Sequence, residues 1–242
     1  MMKLADYGRR ILTEQFPQRV LLYFFAIAVL ALGVVLNVNA ALGISPIAVL
    51  PFVSSRITGL SLGTAAFLVF ACFAVAQVLI LRREFQWIQL TQIFISRLTG
   101  LFVDAWGSLL GDIQFPGGYA GQIAQLLIGT FFVSAGVALH MQARLITLPP
   151  AALIAAITRK LKTVPFFKVK IVMDSTWVAL GALFSFLFMG DVIGIREGTV
   201  IAAVLTGWLI PLINRISGPV LKKMGIEPRQ PGPPPQAPRA SR

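Results

Sequence analysis

Apolar runs of spanning length alternate with short polar, basic joints along most of this chain. Val20 to Leu42, Ser61 to Leu81, Trp87 to Leu110, Gln122 to Gln142, Val169 to Met189 and Thr199 to Asn214 each read as a helix that crosses a bilayer. A helix rises 1.5 Å per residue, so about 20 apolar residues cross a hydrocarbon core of about 30 Å. The third run is the least apolar, with Gln89, Gln92, Arg97 and Asp104 inside it. Two further apolar stretches, Gly43 to Leu60 and Leu145 to Thr163, are short and carry prolines (Pro46 and Pro51; Pro149 and Pro150). About 14 apolar residues are too few to cross as a helix, so each stretch reads as re-entrant or interfacial.

These two short stretches belong to a repeat. A shift of 103 positions, without a gap, lays Gly33 to Arg56 on Gly136 to Arg159. The identical pairs are Gly33/Gly136, Val34/Val137, Leu36/Leu139, Ala40/Ala143, Leu42/Leu145, Pro46/Pro149, Ala48/Ala151, Leu50/Leu153 and Arg56/Arg159. Chance gives about one match in ten to fifteen positions in a chain this rich in Ala and Leu. One structural unit is therefore expected twice. Three spans separate the copies, so the second enters the membrane from the opposite side. The fold expected is an all-α polytopic membrane protein of about six transmembrane helices. They form two inverted three-helix repeats (about 20–110 and 122–214), each with a proline-broken segment. Paired interrupted segments of this kind mark a midplane binding site in secondary transporters.

Composition agrees with a membrane protein. The chain has 242 residues, only 12% of them charged, against about 25% in ordinary soluble domains. Its mean hydropathy is +0.81. The net charge of +12 does not point to nucleic acid, because the Lys and Arg sit in blocks beside apolar runs, as cytoplasmic anchors do. Those blocks are the N-terminus, the turn at 82–84, the loop at 144–170 and the tail. With six spans all four fall on one face, which places both termini in the cytoplasm; Arg56 and Arg196 stand alone on the other. Three regions follow: a basic N-terminus (1–19), one transmembrane domain (20–217) and a proline-rich tail (218–242). The tail is too polar to fold. Cys72 is the one cysteine and reads as packing. No cleavable signal peptide is expected, since the first apolar run is too long for one.

Several short motifs run in order through residues 20–217: L-G-I-S-P-I-A-V-L at 42–50, G-L-S-L-G-T at 59–64, G-L-F-V-D at 100–104, I-V-M-D at 171–174 and I-G-I-R-E-G-T-V at 193–200. In these the chain resembles the YitT/YczE-type family of bacterial integral membrane proteins. The resemblance implies a multi-pass protein of the bacterial inner membrane whose biochemical activity is poorly defined. The chain departs from the Pro-Trp-Asp pattern of those relatives, since Ile47 and Ala48 follow Pro46. Any role of an acidic residue there is absent here.

Polar residues within spans are the candidates for chemistry, because a charge at the bilayer centre costs about 2.5–3.5 kcal/mol on insertion scales. Arg97 and Asp104 share one helix face two turns apart, as a paired gate, a site in the bundle interior, or structural groups. Asp174 has Lys170 as an i−4 partner. His140 aligns with Asn37 across the repeat, and Gln142 with Asn39. His140 either fills a hydrogen-bonding role or titrates near neutral pH. Pro46 and Pro149 each remove a backbone donor and free a carbonyl, which must then face protein or a water-filled cavity. One His and one Cys exclude a His/Cys metal cluster, and the P-loop, zincin and nucleophile-elbow motifs are missing. Neither enzyme chemistry, a metal nor a cofactor is expected. The partners expected are the bilayer, a small solute, and a second copy or a partner membrane protein. The functional expectation is a small-molecule or ion permease, with a non-transporting solute- or partner-binding subunit as the alternative.

Overall fold

The computed structural model describes residues 16–85, 87–161, 163–164, 166–223 and 226, apart from the side chains of Arg83 and Ile88. It is all-helical over these residues: α1 (Phe16–Asn39), α2 (Pro46–Thr58), α3 (Leu62–Leu81), α4 (Thr91–Leu110), α5 (Tyr119–Ala143), α6 (Pro149–Leu161), α7 (Phe166–Met189) and α8 (Glu197–Lys223). Short 3-10 turns, Arg82–Glu84 and Trp87–Leu90, join α3 to α4. The long helices α1, α3, α4, α5, α7 and α8 have the length and composition to cross a membrane. The chain is an integral membrane protein.

Helices α2 and α6 have 13 residues each, about 20 Å of helix, and cannot cross alone. They are no surface ornament. Val49, Leu50, Pro51 and Val53 of α2 are buried, as are Pro150, Leu153, Ile154 and Ala156 of α6. The packing crosses over between the halves: α2 lies on α7 and α3 lies on α6. Leu50 and Ile154 meet Val169 and Trp177 in one apolar cluster, and Trp177 stacks on Phe73 of α3 at 5.0 Å.

The centre of the molecule is the crossing of α1 and α5. Tyr23, Ile27 and Ala31 of α1 are fully covered, as are Thr130, Ser134 and Ala138 of α5. Small residues let the backbones touch. A Cβ added at Gly33 would lie 2.4 Å from the Val133 amide nitrogen, and one at Gly136 would lie 2.5 Å from the Leu30 Cβ. Within a membrane such close van der Waals packing, rather than apolar burial from water, holds helices together. The crossing is antiparallel: Tyr23 meets His140 near one end, and Asn37 meets Thr130 toward the other.

Element boundaries have local causes. Past the ends of α1 and α5, Ala41 and Arg144 both adopt φ +54°, the left-handed region in which helices commonly end. Helix α3 starts where the Ser61 hydroxyl accepts the Thr64 N–H, a polar cap ahead of an apolar run. Helix α8 runs on to Lys223 through Pro211 and Pro219. The span expected to end at Asn214 is therefore longer, and residues 218–223 of the expected tail are helical. The basic N-terminus up to residue 15 and nearly all of the remaining tail lie outside the described residues.

Candidate functional site

The helix ends gather at two faces. At one, Glu84 accepts Arg159 at 3.2 Å and Lys160 at 2.7 Å, joining the α3–α4 turn to the end of α6. This is the basic face. At the opposite face, Ile44 N–H donates to Gly194 and Gly198 N–H to Leu42, at 3.1 and 2.8 Å. Arg196 reaches the Ala41 carbonyl at 3.1 Å.

Each face has a cavity beside the α3–α4 pair. The cavity at the basic face holds about 320 Å³ and is bounded by α3, α4, α6 and the strap 145–147. Its lining includes Gln77, Gln89, Gln92, Thr147, Ala155 and Arg159. Gln92 donates to the Gln77 side-chain oxygen at 2.6 Å, and both are buried. The Gln89 side-chain oxygen is buried without a partner among the described residues. The opposite cavity, about 330 Å³, lies among α1, α3 and α4 and is lined in part by Asn39, Ser61, Asp104, Ser108 and Asp112.

The residues expected to carry chemistry are not drawn into one site. Arg97 and Asp104 do not pair. Asp104 accepts the Ser61 hydroxyl at 2.8 Å and the Gly63 N–H at 2.7 Å. It is a cap on α3, an anion at the positive end of a helix dipole. Arg97 reaches Thr64 at 3.4 Å and lies over the Phe67 ring at 5.8 Å. Both therefore bind α4 to the start of α3, where Gly63 and Gly100 abut. Asp104 also borders the second cavity.

Asn37 and His140, equivalent by the 103-residue shift, are both buried at the α1–α5 crossing. Asn37 donates to Thr130 at 3.4 Å, while its Oδ1 has no partner among the described residues. The His140 ring lies 4.7 Å from the Tyr23 ring, and its Nε2 is likewise without a partner among them. Tyr23 donates to the Ile146 carbonyl at 2.8 Å. The other aligned pair diverges. Asn39 is partly exposed and donates to Gly111 at 2.7 Å. Gln142 is buried and donates to Asn214 and Ser217 of α8, at 2.8 Å each. Asp174 pairs with Lys170 one turn away, the partner that spacing indicates.

The prolines correct the expected chemistry. Pro46 and Pro149 open α2 and α6. At a first helical position no intrahelical N–H bond is made, so nothing is lost there and no carbonyl is freed. The donor that is missing belongs to Pro51, inside α2, which leaves the Ile47 carbonyl without its helical partner.

Sequence reading did not select Gln77, Gln92 or Thr147 as site residues. Gln77 carried a signal, being the one strongly polar side chain in the otherwise apolar α3 span. Its pairing with Gln92 follows from the α3–α4 hairpin, which only the packing reveals.

No curated protein and no solved structure matches the chain. A family model does, over residues 17–215, which takes in every span but the last turns of α8. The chain belongs to DUF6198, a family of unknown function.

Proposed function

We propose that the protein is a permease for a small solute, built from two inverted halves around the α1–α5 crossing. The observation that carries this reading is a reciprocal contact: Gly33 abuts Val133 and Gly136 abuts Leu30. A shift of 103 positions turns the first contact into the second, which is what a two-fold axis between two copies of one unit demands. The exchange of partners supports the same axis, since α2 on α7 and α3 on α6 interconvert under it. So does the left-handed pair Ala41 and Arg144. The α3–α4 pair also borders a cavity at each face, which leaves room for a solute on both sides of one helix pair. Uptake into proteoliposomes, screened with labelled small metabolites, tests the function. Uptake of at least one solute above that of protein-free liposomes is expected, and equality across the panel counts against it. Cysteines placed at 56 and 159 test the inversion, and should label from opposite faces of the membrane.

A second reading, a non-transporting subunit, is favoured by one asymmetry. α3 and α4 pack tightly at Gly63 and Gly100, but α7 and α8 form no comparable interface. Val200, Val204, Trp208 and Ile216 of α8 stay exposed. Copurification of a stoichiometric membrane partner, with no uptake by the protein alone, would favour that reading.

A further inference from the structure

The two halves treat equivalent positions in opposite ways. At the basic face Thr147, Ala152, Ala155, Ala156 and Gln92 border an open cavity. A shift of 103 residues carries these positions to Ile44, Val49, Phe52, Val53 and Ile195. Those five side chains pack together in one apolar cluster, with Ile44, Val49 and Val53 buried. Phe52 fills the place that Ala155 leaves open: its ring lies against Gly194, and Arg56 lies over it at 5.1 Å. Val49 presses into Gly181, where an added Cβ would lie 2.2 Å from its Cγ1. The difference is one of side-chain volume and polarity, written into the sequence, and a rocking motion of the helices would not erase it.

From this we infer that the cavity at the basic face is a water-filled binding pocket for a small uncharged solute bearing amide or hydroxyl groups, and that its equivalent at the opposite face is permanently closed. The inference uses the proposed repeat to match positions, but it needs no transport. The chemistry of the lining selects the class. Among the described residues, three glutamines and two threonines of the lining offer both donors and acceptors. Among the described residues the one charged side chain of the lining is Arg159; it is 60% exposed and shares Glu84 with Lys160, so water screens it and the lining offers an ion no buried charge. A cavity of about 320 Å³ is at the small end of ligand pockets. A stripped ion would leave its hydration shell without a replacement charge, which a neutral amide or polyol does not require.

Thiol labelling tests it. In a Cys72→Ala background, Thr147→Cys and its equivalent Ile44→Cys are placed one at a time in protein held in lipid nanodiscs, where both faces are open. The water-soluble reagent MTSES should modify Thr147→Cys about tenfold or more faster than Ile44→Cys, since rate follows exposure of the thiolate. Adding Ala155→Phe, which copies Phe52, should slow Thr147→Cys by about as much, while the melting temperature holds. Acetamide and glycerol, each at molar concentration, should slow the labelling of Thr147→Cys, and acetate and tetramethylammonium should not. Three results would overturn the inference. Equal rates at 147 and 44 remove the one-sidedness. Reaction at 147 with lipid-soluble N-ethylmaleimide but not with MTSES makes the cavity a lipid-filled groove. Protection by acetate, or by neither uncharged probe, removes the ligand class. Labelling reads no flux, so it stands or falls apart from the uptake assay.

Discussion

Gly33 on α1 sits so close to Val133 on α5 that a methyl group on its α-carbon would lie 2.4 Å from the Val133 amide nitrogen. The nearest obstacles are backbone atoms, including the Gly129 carbonyl oxygen at 2.6 Å, so a side chain there can be accommodated only by pushing the helices apart. Gly33→Val should therefore destabilise the fold by about 1–3 kcal/mol or more, as overpacking does. Gly136→Val should do the same, through Leu30. Gly207→Ala is the control, since its added methyl meets no atom within 4 Å. Melting temperatures in one detergent compare the three. Equal melting of Gly33→Val and the parent protein would contradict a tight α1–α5 crossing.

The buried Gln77–Gln92 pair invites a double-mutant cycle. Removing one amide strands the other in a covered site, at a cost of about 1–3 kcal/mol. Gln77→Leu and Gln92→Leu should each lower stability by that order, and the double variant by less than their sum, because it leaves no orphaned partner. Denaturation of the four proteins under one condition measures the coupling. Additive effects would mean that the hydrogen bond at 2.6 Å contributes nothing.

Asp104 acts, on this geometry, through the start of α3. Asp104→Ala removes the acceptor of the Ser61 hydroxyl and the Gly63 N–H and should cost about 1–3 kcal/mol. Asp104→Asn keeps one acceptor oxygen and should recover part of that loss. A fall in uptake that tracks melting temperature across the two variants would mark a structural cap. A loss of uptake by a fully stable Asp104→Asn would instead put the carboxylate in contact with solute.

At the basic face, Glu84→Gln removes the acceptor charge that holds Arg159 and Lys160. All three side chains are 41–60% exposed, so water and salt screen the pairs, and the loss should be under about 1 kcal/mol. The difference between Glu84→Gln and the parent protein should shrink as salt is raised. A loss of several kcal/mol, unmoved by salt, would show that this corner is sealed from water.

Much of the architecture is a local property of the sequence. An apolar run of about 20 residues has one way to satisfy its backbone in lipid, so the spans could be read directly, with shifts of a few residues at most of their ends. The largest miss was α8. Its last turns, from Arg215 to Lys223, mix Lys and Arg with Pro219 and Gly218 and carry no membrane-span signal. The self-similarity at a shift of 103 residues is also legible in the sequence, because it is a comparison of the chain with itself; the inverted repeat built on it remains a proposal. What a proline does depends on the register of its helix, so the starts of α2 and α6 had to be seen before Pro46 and Pro149 could be separated from Pro51.

The sequence alone therefore determined how many helices can cross, where the two short ones fall, and which positions resemble one another at a shift of 103. Each of these depends on residues near one another along the chain or on a fixed shift. Only the tertiary structure decided which polar groups meet. Asp104 turns to the start of α3 and away from Arg97, Asn37 and His140 are shut into the α1–α5 crossing, and Gln77 finds Gln92. It also decided that Thr147, Ala155 and Gln92 border a cavity while Ile44, Phe52 and Ile195, 103 positions away from them, pack in an apolar cluster. These outcomes rest on contacts between helices distant in sequence, where the volume of each facing side chain, and no local pattern, sets what fits.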